Sequence, residues 1–253
     1  PAANIMHEIG LDYLTIGNHA FNFGYDYLKD YLNNLEAKCI CCNVIDERGG
    51  IKNLSSYEII EWQGKTIGII GAVTDWVNLW EKEENKKGFT INKAWPSLKE
   101  AYKFIEDTDF KICIYHGGFE IDLETLEKID ETDENIGGLI ARELDIDLLL
   151  TGHQHMNLEN QEIFNTHIVQ PSSNALKYAD IEVNLSTKKV HSILKSPSGL
   201  VDESLYDKFL DKEMRTQEYL DQVLAELPRD LMPKGRLEMA LNGSELADFI
   251  NKI

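Results

Sequence analysis

Over residues 1–200 the apolar positions alternate between a helical and a strand-like spacing. That rhythm predicts a helix near 2 to 9, a strand over Asp12–Ile16, a loop over Gly17–Gly24, a helix near 25 to 36 and a strand over Lys38–Val44. Such alternation is the signature of a layered α/β fold. Two runs, SYEIIEW and KTIGIIGAV, meet at Gln63 and Gly64 and read as a β-hairpin; the polar stretch EKEENKKG after them reads as a solvated loop. A helix is expected from Trp95 to about Glu106, then the apolar strand FKICIY, an acidic loop with a helix, and a second apolar strand DIDLLL. Beyond these, EIFNTHIVQ, YADIEVNL and KKVHSILK read as three short strands, a meander closing a second sheet.

The pattern changes past residue 200. Leu205, Phe209, Leu210, Tyr219, Leu220, Val223 and Leu224 recur at helical spacing, which predicts one long helix stopped by Pro228 and Pro233. A last helix, SELADFINKI, has Ser244 placed as its N-cap. The expected domains are therefore a core over 1–200 and, over 201–253, a linker helix with the beginning of another domain. The start PAANIMHEIG, without an initiator Met or a signal-peptide pattern, reads as a cut piece of a longer protein.

Composition narrows the function classes. Hydrophobic residues make up 43% of the 253, enough for a sizeable core, whereas 25 basic against 44 acidic residues leave a formal charge of −19. A chain this acidic repels a phosphate backbone, so neither a nucleic-acid polymer nor an anionic membrane is expected as a partner, and a phosphorylated ligand would need metal ions. No stretch approaches the roughly 20 apolar residues that span a bilayer. The thiols Cys39, Cys41, Cys42 and Cys113 lack paired metal-site spacing and are expected to be buried and free, which leans toward a reducing compartment.

The candidate chemistry lies in three loops, each directly after an apolar strand: Gly17-Asn18-His19, Tyr115-His116-Gly117-Gly118, and Thr151-Gly152-His153-Gln154-His155. Open α/β sheets place their ligands at these strand ends. Neutral imidazole suits zinc, manganese or iron, and a His-x-His pair leaving a strand can offer two ligands to one side. One such histidine is ordinarily a packing residue; four of the chain's seven histidines at the ends of three strands point to a metal centre. His7, His167 and His191 lie in helix or strand contexts without partners and read as structural.

The blocks GNHAFNFG, YHGG and TGHQH, in this order, resemble those of the calcineurin-like metallophosphoesterases, within them the group of 5'-nucleotidases and 2',3'-cyclic-nucleotide 2'-phosphodiesterases. The resemblance implies a truncated double β-sheet sandwich flanked by helices and followed by a long linker helix. It also implies two divalent ions (Zn, Mn or Fe): Asn18, His116 and His153 would bind one, His155 would help bind the other, and His19 would be the catalytic, transition-state histidine. The family's Asp-x-His and Gly-Asp blocks do not occur in this chain, so a weak or inactive protein is expected. Asn22 stands where the 5'-nucleotidase branch carries an aspartate paired with the catalytic histidine. Asn22, Phe23 and Trp80 resemble the cyclic-phosphodiesterase branch, while Ala20 departs from both, and Asn22 with Ala20 removes the two nearby carboxylates that could hold an imidazolium charged.

The implied activity is a 2',3'-cyclic-nucleotide 2'-phosphodiesterase/3'-nucleotidase acting on a small-molecule nucleotide by two-metal hydroxide attack. The alternatives are a 5'-nucleotidase or nucleotide-sugar hydrolase, a non-catalytic metal-binding module, and structural histidines with no metal. Relatives of this group are often exported, against the lean of the thiols, and neither cellular address nor oligomeric state follows from the chain.

Overall fold

The computed structural model describes residues 2–223, 226 and 234–251. The chain divides into two units, Pro1–Leu200 and Val201–Ile253. The first opens with α1 (Ala2–Glu8), β1 (Tyr13–Leu14), a 3-10 turn over Asn18–Phe21, and α2 (Gly24–Asn33). Tyr25, Leu28 and Leu32 recur at helical spacing, which gives α2 a single buried stripe. Then come β2 (Lys38–Ile40), β3 (Val44–Asp46), β4 (Leu54–Ser55), and the hairpin of β5 (Tyr57–Trp62) and β6 (Lys65–Val73). Gln63 and Gly64 turn that hairpin at φ 53° and 73°, the left-handed values that match strand twist.

Two short helices, α3 (Val77–Trp80) and α4 (Glu83–Lys86), precede β7 (Phe89–Ile91) and α5 (Ala94–Tyr102). The remainder is β8 (Phe110–His116), α6 (Gly137–Glu143), β9 (Leu148–Thr151), β10 (Leu158–Ile163), β11 (Thr166–Gln170), β12 (Tyr178–Asn184) and β13 (Lys189–Lys195).

The largest sheet has the order β10-β11-β9-β8-β6-β5, parallel in its middle and antiparallel at both edges. Alternation along β8 and β9 sends Cys113, Tyr115 and Leu149 to one face, where Leu98, Ala101 and Ile105 from α5 and its following turn, and Ile140 and Leu144 from α6 and its end, cover them. Phe110, Ile112, Leu148 and Leu150 go to the other face, against Ala179, Ile181, Val183, Val190 and Leu194 of the β12–β13 hairpin. A separate cluster, with Phe21, Tyr25, Leu28, Leu32, Cys39 and Cys41, lies between α2 and the small sheet β1-β2-β4. The mixed α/β architecture is thus the one expected from the alternation.

Several local expectations are corrected. Residues 38–44 are not one strand: β2 stays in the small sheet, while β3 pairs with β7. Between them the buried Asn43 takes the place of a ladder, its amide donating to the Val73 carbonyl (2.8 Å) and accepting from the Val73 N–H (3.0 Å). EIFNTHIVQ is likewise divided, by a turn at Phe164 and Asn165 with φ 50° and 65°. Its two parts, the end of β10 and β11, join the large sheet, so a meander does not close a second one; β12 and β13 alone form the separate layer.

The stretch EKEENKKG contains α4, and Lys86 is buried with its Nζ on the Asn78 carbonyl. All four cysteines are free, and burial pushes each thiol up, that of Cys41 to about 11.

In the second unit the long helix, α7 (Glu203–Leu220), starts at Asp202, whose carboxylate accepts the Leu205 N–H. It is shorter than expected, and Leu224, Pro228 and Pro233 lie outside the described residues. An unexpected helix, α8 (Arg236–Asn242), precedes α9 (Glu245–Ile250), which Ser244 caps through the Ala247 N–H as its sequence predicts. Among the described residues no helix is long and apolar enough to cross a membrane.

Candidate metal and phosphoester site

β8 and β9 are parallel neighbours with Tyr115 opposite Thr151, so His116 and the Gly152–His155 loop leave the sheet at the same end. The loop after β1 reaches them: Asn18 Oδ1 lies 2.9 Å from His116 Nε2. Gly17 eases this approach, because a Cβ there would stand 3.1 Å from His116 Cε1, and Gly152 lies against the same ring. The His116 and His153 rings are 5.7 Å apart between centroids. Burial first, then the charges of His153, His19 and His155, lower His116 to about 4. Its ring is therefore neutral at pH 7 and keeps a lone pair for a ligand.

The other histidines are held differently. His153 Nε2 meets Glu134 Oε1 at 3.0 Å, and Trp80 stacks on its ring with centroids 5.4 Å apart. His19 is exposed, with Nδ1 2.9 Å from Asn22 Oδ1. His155 is exposed and acts on His116 through its charge. Both members of the His-x-His pair adopt left-handed backbone, φ 68° at His153 and 56° at His155, a conformation costing about 1–3 kcal/mol each and typical of functional loops.

The three structural histidines do have partners, all elsewhere: His7 with Glu36, His167 with Ser192 and His191 with Asn160.

Among the described residues no group of three or more His, Cys, Asp or Glu is gathered to hold a metal ion. The donors that do face one another are an imidazole nitrogen and a carboxamide oxygen, with His153 beside them. This neutral N/O set suits part of the shell of one divalent ion.

Several supporting residues escaped the motif reading. Glu134 sits in an acidic run indistinguishable from a solvated loop, yet its carbonyl accepts from the Thr74 hydroxyl at 2.7 Å and the Tyr115 hydroxyl at 3.2 Å, and its carboxylate reaches His153. Gln154, inside the third motif, ties that loop to the second by exchanging hydrogen bonds with the Phe119 backbone (2.8 and 3.1 Å). Its amide lies against Gly118, where a Cβ would come within 2.0 Å of it, which explains the glycine. Glu81 accepts from Asn22 Nδ2 at 2.5 Å, so a carboxylate does stand behind the catalytic candidate, one residue further away than the motif places it.

No protein-family profile matches the chain. A 2',3'-cyclic-nucleotide 2'-phosphodiesterase/3'-nucleotidase of Haemophilus influenzae is 26% identical over 176 residues, 64% of this chain and 26% of that enzyme. A Staphylococcus aureus protein assigned as a 5'-nucleotidase, solved with alpha-ketoglutarate, superposes with a TM-score of 0.81 at 26% identity, over 99% of this chain and 50% of its own. The calcineurin-like phosphoesterase YfkN of Bacillus subtilis shares the fold, with a TM-score of 0.67 at 20% identity over 87% of this chain and 75% of its own. The chain thus spans about a quarter of the curated relative and half of the first structural one. The homologues and structural neighbours of the chain are 5'-nucleotidases and 2',3'-cyclic-nucleotide phosphodiesterases of the calcineurin-like metallophosphoesterase group.

Proposed function

We propose that the chain carries the catalytic core of a metal-dependent phosphoester hydrolase acting on nucleotides, with a 2',3'-cyclic-nucleotide 2'-phosphodiesterase/3'-nucleotidase as the specific activity. The observation that carries the reading is the meeting of Asn18 Oδ1 and His116 Nε2 at 2.9 Å, from loops 98 residues apart, beside His153. Asn18, His116 and His153 would hold one divalent ion (Zn, Mn or Fe), and His155 would help hold a second. The chemistry such ions supply when bound is a lowered water pKa and neutralised charge on the phosphoryl oxygens. On a chain of net charge −19, that is also what tolerates an anionic substrate.

The remaining roles belong to the chain itself. Burial keeps His116 unprotonated and so able to act as a donor. Glu134 accepts from His153 Nε2, which orients that ring and leaves Nδ1 for a ligand. His19, exposed beside them, is placed to give a proton to a leaving oxygen, a contribution of about 10²–10⁴ in rate. Residues 1–200 form the phosphoesterase core in this reading, and 201–253 lie outside the chemistry. Asn22, in place of an aspartate, supports the cyclic-nucleotide branch over the 5'-nucleotidases.

The test is product analysis of the full gene product with Zn²⁺ or Mn²⁺ on a 2',3'-cyclic nucleotide, a 3'-nucleotide and a 5'-nucleotide. The reading expects opening of the cyclic ester and release of the 3'-phosphate. Turnover of the 5'-nucleotide alone would move the assignment to the other branch, and no turnover above a His116→Ala variant would refute the hydrolase.

A further inference from the structure

Behind His19 runs a short relay of polar groups whose donor and acceptor capacities leave one consistent arrangement. Asn22 Oδ1 lies 2.9 Å from His19 Nδ1, and Asn22 Nδ2 donates to Glu81 Oε2 at 2.5 Å. The second Glu81 oxygen accepts from Asn85 Nδ2 (2.7 Å) and the Lys82 N–H (2.9 Å). Burial works to raise the Glu81 carboxyl, but the bonds from Asn85, Lys82 and Asn22 outweigh it and hold the group below the usual carboxylate range. Asn85 Nδ2 also reaches the Asn22 carbonyl at 2.9 Å, fixing the backbone from which the relay side chain departs.

An ionised carboxylate only accepts hydrogen bonds. Asn22 must therefore turn its NH₂ toward Glu81, which turns its carbonyl oxygen toward His19. An oxygen there requires a hydrogen on Nδ1, and in the neutral ring that leaves Nε2 with the lone pair. We propose that Glu81 is a positioning residue which, through Asn22, fixes His19 in the Nδ1–H tautomer and so makes Nε2 the nitrogen that exchanges protons with substrate.

The neighbouring residue also reaches the histidine loops, since Trp80 stacks on His153 with an interplanar angle of 24°. One short segment, the end of α3 and Glu81, thus backs two imidazoles of the cluster, one by stacking and one by hydrogen bonding. The consequence for catalysis rests on the phosphoester-hydrolase reading; the tautomer does not.

The test reads the tautomer directly, by ring ¹⁵N NMR at about pH 8, above the ordinary imidazole range. The His19 signals are assigned by their loss in His19→Gln. The unmodified protein should show Nδ1 protonated and Nε2 bare. Glu81→Lys replaces the acceptor by a donor and should turn the Asn22 amide over, so that His19 switches to the Nε2–H form. Glu81→Ala should give a mixture, and decides the question if the Lys variant does not fold; unchanged His167 signals, from a ring bonded to Ser192, report an intact core.

An Nε2–H ring in the unmodified protein, or an unchanged His19 in the folded variants, would overturn the proposal. In active protein, Glu81→Lys should also lower kcat by about 10- to 100-fold with KM unchanged. Absence of activity in the unmodified protein counts against the hydrolase reading, while the tautomer result stands by itself.

Discussion

His116 and His19 lie in two of the three histidine loops and are held in opposite ways. His116 ends a strand of the large sheet, is packed between Gly17 and Gly152, and is driven to about 4 by burial and by neighbouring imidazoles. His19 stands exposed on a 3-10 turn, fixed by one side-chain contact to Asn22. The first environment keeps a ring neutral and immobile, as a ligand must be; the second leaves a ring open to exchange a proton. Fold position, rather than residue type, separates the two proposed roles, and variants can break that contrast.

The largest effect is expected from removing the half-buried donors. In the full gene product, Asn18→Ala or His116→Ala should lower nucleotide hydrolysis by more than about 100-fold, beyond the upper end for losing a partner outside the ligand set. His191→Ala, whose ring pairs with Asn160 away from the site, should leave the rate unchanged. Equal losses in both would erase the distinction.

Acid should expose the next difference. The His116 pKa in the fold is depressed from 6.5 to about 4, so the unfolded chain takes up its proton first as pH falls. The stabilisation is fully present above about pH 6.5, is lost progressively toward pH 4, and amounts to about 3 kcal/mol. Chelator-treated protein followed by urea unfolding between pH 7 and 4 should show this slope, and His116→Gln should lack it.

A smaller effect is expected at the edge of the buried half. Glu134→Gln weakens the hold on His153 while keeping the shape of the side chain, and should reduce zinc affinity by about 10- to 100-fold in a competition titration. An unchanged affinity would make Glu134 a mere neighbour.

The amino-acid pattern made much of the framework legible, and for identifiable reasons. Apolar runs bounded by polar turns marked β8 and β9, and the Gln63-Gly64 pair marked the hairpin between β5 and β6. The histidine loops could be found because each follows such a strand.

What escaped was carried by single side chains acting at long range. Asn43 substitutes for a strand ladder with its amide, and nothing in CCNV announces it. The turn at Phe164 and Asn165 adopts positive φ without a glycine, so β10 and β11 read as one strand. Glu134 lies in an acidic stretch and Glu81 in a mixed-charge polar one, both of which usually mean a solvated surface, and only the folded chain brings them to His153 and Asn22.

The claim that distant loops build one ion site around His116 is tested most directly by zinc titration of the protein, following all histidine ring ¹⁵N signals. The account predicts that the His116 and His153 signals move together and saturate, that Asn18→Ala weakens the response, and that His7 and His191 stay still. His116 and His153 signals that remain fixed, or that move no more than those of His7 and His191, would contradict it.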